Sequence, residues 1–130
     1  MSTRPSERRA RGGEVEAAVA ALLEENGYSI LDRNWTMRGG ELDLVAEKED
    51  WLVFAEVRSR RGTSHGGAAE SIGPTKRRRV VRAAATWAAR AGLLDKRSIR
   101  FDVFSVQIRA EGRLEIDWIE AAFDAEGILF

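Results

Sequence analysis

A mixed α/β domain, one sheet with helices packed on it, is the fold class that this sequence predicts. Three observations carry it. Two stretches, around 15–23 and 80–91, repeat apolar residues at helical spacing. Five others, at 28–35, 41–46, 51–58, 98–106 and 113–119, are short apolar or alternating runs bounded by turn residues. Their order is α-β-β-β-α-β, with a further β and a short α after it. Three meandering strands ahead of a helical crossover to a fourth make the sheet mixed.

Residues 1–12 are polar and contain Pro5, and Gly12-Gly13 separates them from the first helix; they read as a flexible basic arm, leaving 13–130 as a single domain. Val15, Ala18, Val19, Leu22 and Leu23 form the buried stripe of that helix, which Asn26-Gly27 ends with a left-handed residue. Glu14 sits in its first turn, where an acid is favourable to the helix dipole. Tyr28 to Trp35 is the first strand of the meander. Residues 59–73 read as a mobile loop that closes with a short turn at 68–72, and His65 within it reads as a solvent-exposed bystander. Thr75 is the expected N-cap of the second helix, whose buried face is Val80, Val81, Ala84, Trp87, Ala88 and Ala91. Ser98 to Val106 is apolar on both faces, an interior strand in which Asp102 is expected to be held by structural hydrogen bonds. A turn at Ala110-Glu111-Gly112, a strand from Arg113 to Ile119, a short helix from Glu120 to Ala125 and an apolar tail, Ile128-Leu129-Phe130, complete the chain.

The two arms between Glu41 and Arg58 carry the chemistry. In the first, Leu42, Leu44 and Ala46 alternate with Glu41, Asp43 and Val45. The second is continuously apolar from Trp51 until Glu56, which predicts a strand buried on both faces and an acid that needs a reason to be there. Joining the arms through Glu47-Lys48-Glu49-Asp50 places Ala46 opposite Trp51, Asp43 opposite Phe54 and Glu41 opposite Glu56. Asp43, Glu56 and Arg58 then project from one face, with the two acids diagonal neighbours roughly 7 Å apart or closer. A one-residue shift would separate them.

Lysine plus arginine equals aspartate plus glutamate, 21 against 21, so net charge favours no class of partner. With no cysteine, disulfides, thiolate metal sites and cysteine nucleophiles are excluded. No apolar run is long enough to span a bilayer and no apolar signal core opens the chain, so the expected address is the cytoplasm with no membrane partner. The basic residues cluster. Arg58, Arg60 and Arg61 end the second arm, and Lys76, Arg77, Arg78, Arg79 and Arg82 crowd the first turns of the second helix. There they oppose the dipole and one another. Phosphate binding is the expectation for that cluster.

Acid, a gap of a dozen residues, then acid-x-base on adjacent strands resembles the motif of the PD-(D/E)xK nucleases, here Asp43 with Glu56-Val57-Arg58. The chain is more narrowly similar to the YraN-like family, bacterial proteins assigned to the restriction-endonuclease-like fold. The matching pieces are Gly13-Glu14, Gly27-Tyr28, Arg33-Asn34-Trp35, Gly40 to Ala46, Glu56 to Arg60, Lys76 with Arg78, and Arg100 to Val103. The resemblance implies that fold for 13–130 and a metal-dependent endonuclease acting on DNA phosphodiesters, branched repair or recombination intermediates among them. It also implies Mg²⁺ or Mn²⁺ held by Asp43, Glu56, the Val57 carbonyl and Glu14, with Glu41 behind them. Asp43, Glu56, Arg58 and Glu14 become the catalytic set; Arg60, Lys76, Arg77, Arg78, Arg79 and Arg82 become the nucleic-acid contacts. Arg58 departs from the lysine usual in the PD-(D/E)xK nucleases. It stays protonated and can clamp phosphate but cannot act as a base. Three readings therefore stand side by side: the enzyme, a nucleic-acid-binding module that kept the fold without catalysis, and a scaffold whose basic helix meets an acidic protein. A homodimer is the assembly state left open beside the monomer.

Overall fold

Strand β4 (Trp51–Arg61) lies inside the sheet, and the other elements are arranged to cover it. The computed structural model describes residues 2–9, 14–61 and 72–125. The elements are β1 (Ser2–Arg9), α1 (Val15–Glu25), β2 (Ser29–Met37), β3 (Gly40–Lys48), β4, α2 (Pro74–Arg90), β5 (Ser98–Ile108) and β6 (Arg113–Phe123). They form a six-stranded mixed sheet in the order β1-β6-β5-β4-β3-β2. Only β4 and β5 run parallel, joined by the crossover through α2 as expected. Of the expected loop, residues 62–71 with His65 lie outside the described residues, as do Gly12-Gly13 and the apolar tail from Ile128.

Leu52, Val53, Phe54 and Ala55 of β4 are all fully buried. Val53 and Ala55 join Val19, Leu23, Phe104 and Trp118 on the α1 face, while Leu52 and Phe54 join Val45, Val80, Val81 and Ala84 on the α2 face. An apolar strand with period-two alternation between two helices has no solvent side, so the continuous run in the sequence is explained. Gly27 ends α1 with φ +90 and the Asn26 amide donates to the Leu22 carbonyl at 2.8 Å. α2 begins two residues earlier than expected: Gly73, not Thr75, is the N-cap, and Pro74 takes the first turn, where its missing N–H has no intrahelical partner to lose.

Two expectations are corrected at the far edge. Ser2–Arg9 is a strand and not a loose arm, paired antiparallel with β6 from Ser2↔Glu120 to Arg9↔Arg113. Pro5 is tolerated because β1 is an edge strand. Arg4 stacks over the Trp118 ring and pairs with Glu120, and Arg8 grips Glu25 through two bonds of 3.1 and 2.7 Å. The helix expected at 120–125 is absent; β6 continues to Phe123, which stacks on Phe101 at 5.0 Å. Asp102 makes that continuation possible. Fully buried, it accepts from Arg100 Nε and Nη2, each at 2.8 Å, from the Trp118 indole at 2.9 Å and from the Ala121 N–H at 3.0 Å. The last bond spans a bulge between Phe101 and Val103, where the β5–β6 ladder shifts register. The structural role expected of Asp102 is the one observed.

Among the described residues, no helix is long and apolar enough to cross a membrane. At Gly40 the β3 backbone lies tight against α2. A Cβ there would lie 2.9 Å from the Arg79 carbonyl oxygen and 3.1 Å from the Ala83 methyl. Gly40→Ala should therefore push α2 off the sheet and lower stability by about 1–3 kcal/mol, as other overpacked sites do. A denaturant titration checks it; an unchanged midpoint would mean that α2 shifts freely.

Candidate metal and phosphate site

The site forms where β4 leaves the core. The β3–β4 hairpin closes more tightly than the sequence reading expects, with a two-residue turn at Glu49-Asp50 and Glu49 at φ +55. Lys48, not Ala46, lies opposite Trp51, and Val45 rather than Asp43 lies opposite Phe54. The correction is two residues. Because side chains alternate with period two, it leaves Asp43, Glu56 and Arg58 on one face. It also moves the acids from diagonal to adjacent, since the last pair of the ladder is Leu44↔Ala55. Past that pair, side chains take over from backbone. The Val57 N–H donates to Asp43 Oδ2 at 2.8 Å, and the Asp43 N–H reaches Glu56 Oε2 at 3.5 Å.

Asp43, Glu56, Arg58 and Arg60 line one cleft of about 470 Å³, with Glu41 and Lys76. Glu56 is only 2% exposed. Its burial, reinforced by the neighbouring Asp43 charge, pushes its carboxyl up to about 8, against the pull of Lys76. Burial also raises Asp43, opposed by the Val57 N–H and by Lys76. The Lys76 ammonium stands 3.6 Å from Glu56 and 3.5 Å from Glu41. Glu41 is more exposed than a supporting position behind the acids would make it, and it forms the open rim of the cleft.

Glu14 does not join this cleft. It is the exposed N-cap residue of α1, and it lines a second cavity, of about 670 Å³, on the α1 face. Glu16 is the α1 acid that feels Asp43 and Glu41: burial first, then those two charges, raise its carboxyl, while Arg33 opposes them. Both glutamates sit about 100° from the centre of the apolar stripe on opposite flanks, so periodicity has no means of choosing between them. The sequence reads Lys76 as a surface phosphate contact, yet the side chain turns into the cleft. The available signal is the crossover: β4 ends and α2 begins at the same edge of the sheet. Arg78, Arg79 and Arg82 are exposed, as a phosphate-binding surface requires, whereas Arg77 is half-buried. Arg79, with Lys76 and Glu41, lines a further cavity beside Gly40.

Among the described residues, no three His, Asp or Glu side chains gather into a metal cage. Two do suffice for a hard cation such as Mg²⁺, which is held by one or two carboxylates and completed by water and phosphate. Asp43 and Glu56 fit that description. Both are oxygen donors, both are desolvated, and the Asp43 charge disfavours ionised Glu56, so a divalent cation would relieve a strain that Lys76 relieves only in part.

A family model described as "Uncharacterised protein family UPF0102" matches residues 15–106. A UPF0102 protein of Anaeromyxobacter dehalogenans (strain 2CP-C) is 48% identical over 120 residues, 92% of this chain and 88% of that protein. One from Myxococcus xanthus (strain DK1622) is 46% identical over 121 residues, 93% and 94% of the two chains. One from Pseudomonas aeruginosa (strain LESB58) is 42% identical over 126 residues, 96% and 100%.

The raised Glu56 carboxyl sets the sign of a pH effect. Its folded value of about 8 lies above the ordinary 4.5, so the folded state holds a proton that the unfolded state releases between those limits. The stability from this group is complete below about pH 4.5 and is lost as pH rises through about 8. In metal-free protein, Glu56→Gln should melt with wild type near pH 5 and above it by on the order of 5 °C near pH 9. Equal melting temperatures at both pH values would show that Glu56 carries no such burden.

Proposed function

This chain belongs to the UPF0102 family, the YraN-like family that its motifs resemble, and we propose that it is a metal-dependent nuclease cleaving DNA phosphodiesters in the Asp43–Glu56 cleft. The restriction-endonuclease-like core is part of the same proposal, supported by the α-β-β-β-α-β order from Val15 to Ile108. One observation carries the reading. Two adjacent desolvated carboxylates open onto a cleft that the cations Lys76, Arg58 and Arg60 also line.

A Mg²⁺ or Mn²⁺ ion held by Asp43 and Glu56, with the Val57 carbonyl as a further ligand, would neutralise the phosphate and acidify a water molecule. The protein's own residues do the rest. Val57 N–H fixes the Asp43 carboxylate in place. Arg58 clamps the phosphate with its planar head and stays charged throughout. Lys76 brings to the cleft the compact ammonium that the motif lacks at position 58, 3.6 Å from Glu56. An ammonium there can orient the attacking water and meet charge developing on the phosphate oxygens. Glu14 serves, at most, through water from the neighbouring cavity. Arg58 in the lysine position favours a second reading, a binding module without turnover, and a cleavage assay separates the two.

Incubation with single-stranded, duplex, flap and junction DNA should give cleavage with Mg²⁺ or Mn²⁺ and none with EDTA. Asp43→Asn combined with Glu56→Gln should abolish both cleavage and calorimetric Mn²⁺ binding in a folded protein. Lys76→Met should reduce turnover by about 10²-fold or more, as loss of a positioned charge at the reacting phosphate does. Arg58→Lys should retain or raise it. Salt-sensitive binding with no turnover under any metal would leave the second reading.

The exposed arginines of α2 give a separate expectation. If Arg78, Arg79 and Arg82 each meet a duplex phosphate, log affinity falls with log salt at a slope of about −2.7 from these three, at about −0.9 per contact. Replacing all three by Gln should flatten the measured slope by about two to three while the melting temperature holds or rises. An unchanged slope assigns these residues to solvent or to a protein partner.

A further inference from the structure

The cavity on the α1 face is lined by neither Asp43 nor Glu56. Val57, Ser59 and Arg60 line both spaces, so the two meet around the end of β4. They open on opposite faces of the sheet, because Val57 packs with the α1-side core whereas Phe54, two residues before Glu56, packs with the α2-side core. The α1-side cavity is large enough for a nucleotide, at about 670 Å³. Its lining is mixed, with Glu14 and Asn34 among its polar members. Val15, Val57 and Ile108 offer an apolar surface, and Arg33 and Arg61 offer guanidinium groups. Glu16 also lines it and adds a carboxylate, whose Oε2 has no hydrogen-bond partner among the described residues. A buried carboxylate oxygen without a donor is unfavourable unless something supplies one.

We infer that this cavity receives the base of an unpaired nucleotide adjacent to the phosphate held in the acidic cleft. The inference rests on the nuclease reading and names its substrate class, strands with at least one unpaired base at the cleavage point. The base lies on Val15, Val57 and Ile108, its ring N–H or amino group donates to Glu16, and the flanking phosphate meets Arg33 or Arg61. A paired base cannot make this turn around β4, because its partner and its stacked neighbours hold it in the helix until unpairing has been supplied.

The test is fluorescence anisotropy in EDTA, so that binding is read without cleavage. The probes are a short oligothymidylate, the same backbone with tetrahydrofuran in place of every base, and a blunt duplex of equal length. The oligothymidylate should bind about tenfold more tightly than either of the others, the size of one well-seated base. Ala17 is exposed on α1 and lines the cavity, so Ala17→Leu fills it without disturbing the core. That variant, and separately Glu16→Ala, should erase most of the preference and leave the affinity for the baseless strand unchanged. Equal binding of base-bearing and baseless strands, or a preference that survives both variants, overturns the inference. Its failure is distinct from that of the nuclease reading: base preference without metal-dependent cleavage removes only the latter, and cleavage without base preference removes only the former.

Discussion

Closure of β4 on both faces is the constraint on which the rest of the structure depends. A strand with helices on either side must be apolar throughout, and Leu52 to Ala55 satisfy this with no exposed surface. The parallel neighbour β5 requires a crossover, which α2 supplies; the crossover leaves from the end of the sheet where β4 emerges and returns the chain to the opposite end, where Ser98 lies beside Trp51. The first turn of α2 therefore stands beside the end of β4, and side chains from both meet just beyond the last buried apolar residue. Glu56 is the first residue past it.

The two buried acids of the sheet show how differently the same residue class can be used. Asp102 accepts four hydrogen bonds, from Arg100, Trp118 and the Ala121 backbone, and it ties β5 to β6. Arg100 extends the network to the Tyr28 hydroxyl at 2.7 Å. The Asp102 charge is fully answered from within the protein. Glu56 is answered by one long bond from Asp43 and by an ammonium 3.6 Å away, with a second carboxylate beside it. An internal charge that is satisfied holds a fold together, whereas one left partly unsatisfied at a cleft is available to a ligand.

The cations divide along similar lines. Arg4 and Arg8, which read as part of a basic arm, are engaged with Trp118, Glu120 and Glu25 and hold β1 on the sheet. Lys76 is drawn inward by Glu41 and Glu56, leaving Arg78, Arg79 and Arg82 on the surface. Their crowding at the start of α2 opposes the helix dipole without an acid in the first turn to offset it. Charge runs in the sequence thus contain three different roles, separated only by what each side chain can reach.

By itself, the sequence determined the mixed α/β class, the meander and crossover, and the shared face of Asp43, Glu56 and Arg58. These depend on local periodicity, which one chain displays along its length. Parity survives the two-residue error in hairpin register for the same reason: an even shift turns no side chain over. Tertiary structure alone decided which strand partners exist and which charges meet. β1 and the end of β6 are strands because a neighbouring edge offers hydrogen bonds, although Pro5 and the acids of 120–126 carry no strand pattern of their own. Likewise Lys76 enters the cleft, Glu14 stays outside it and Glu16 feels Asp43, because helix and sheet meet at a particular distance and rotation. Such contacts join residues tens of positions apart, and no period within the chain encodes them.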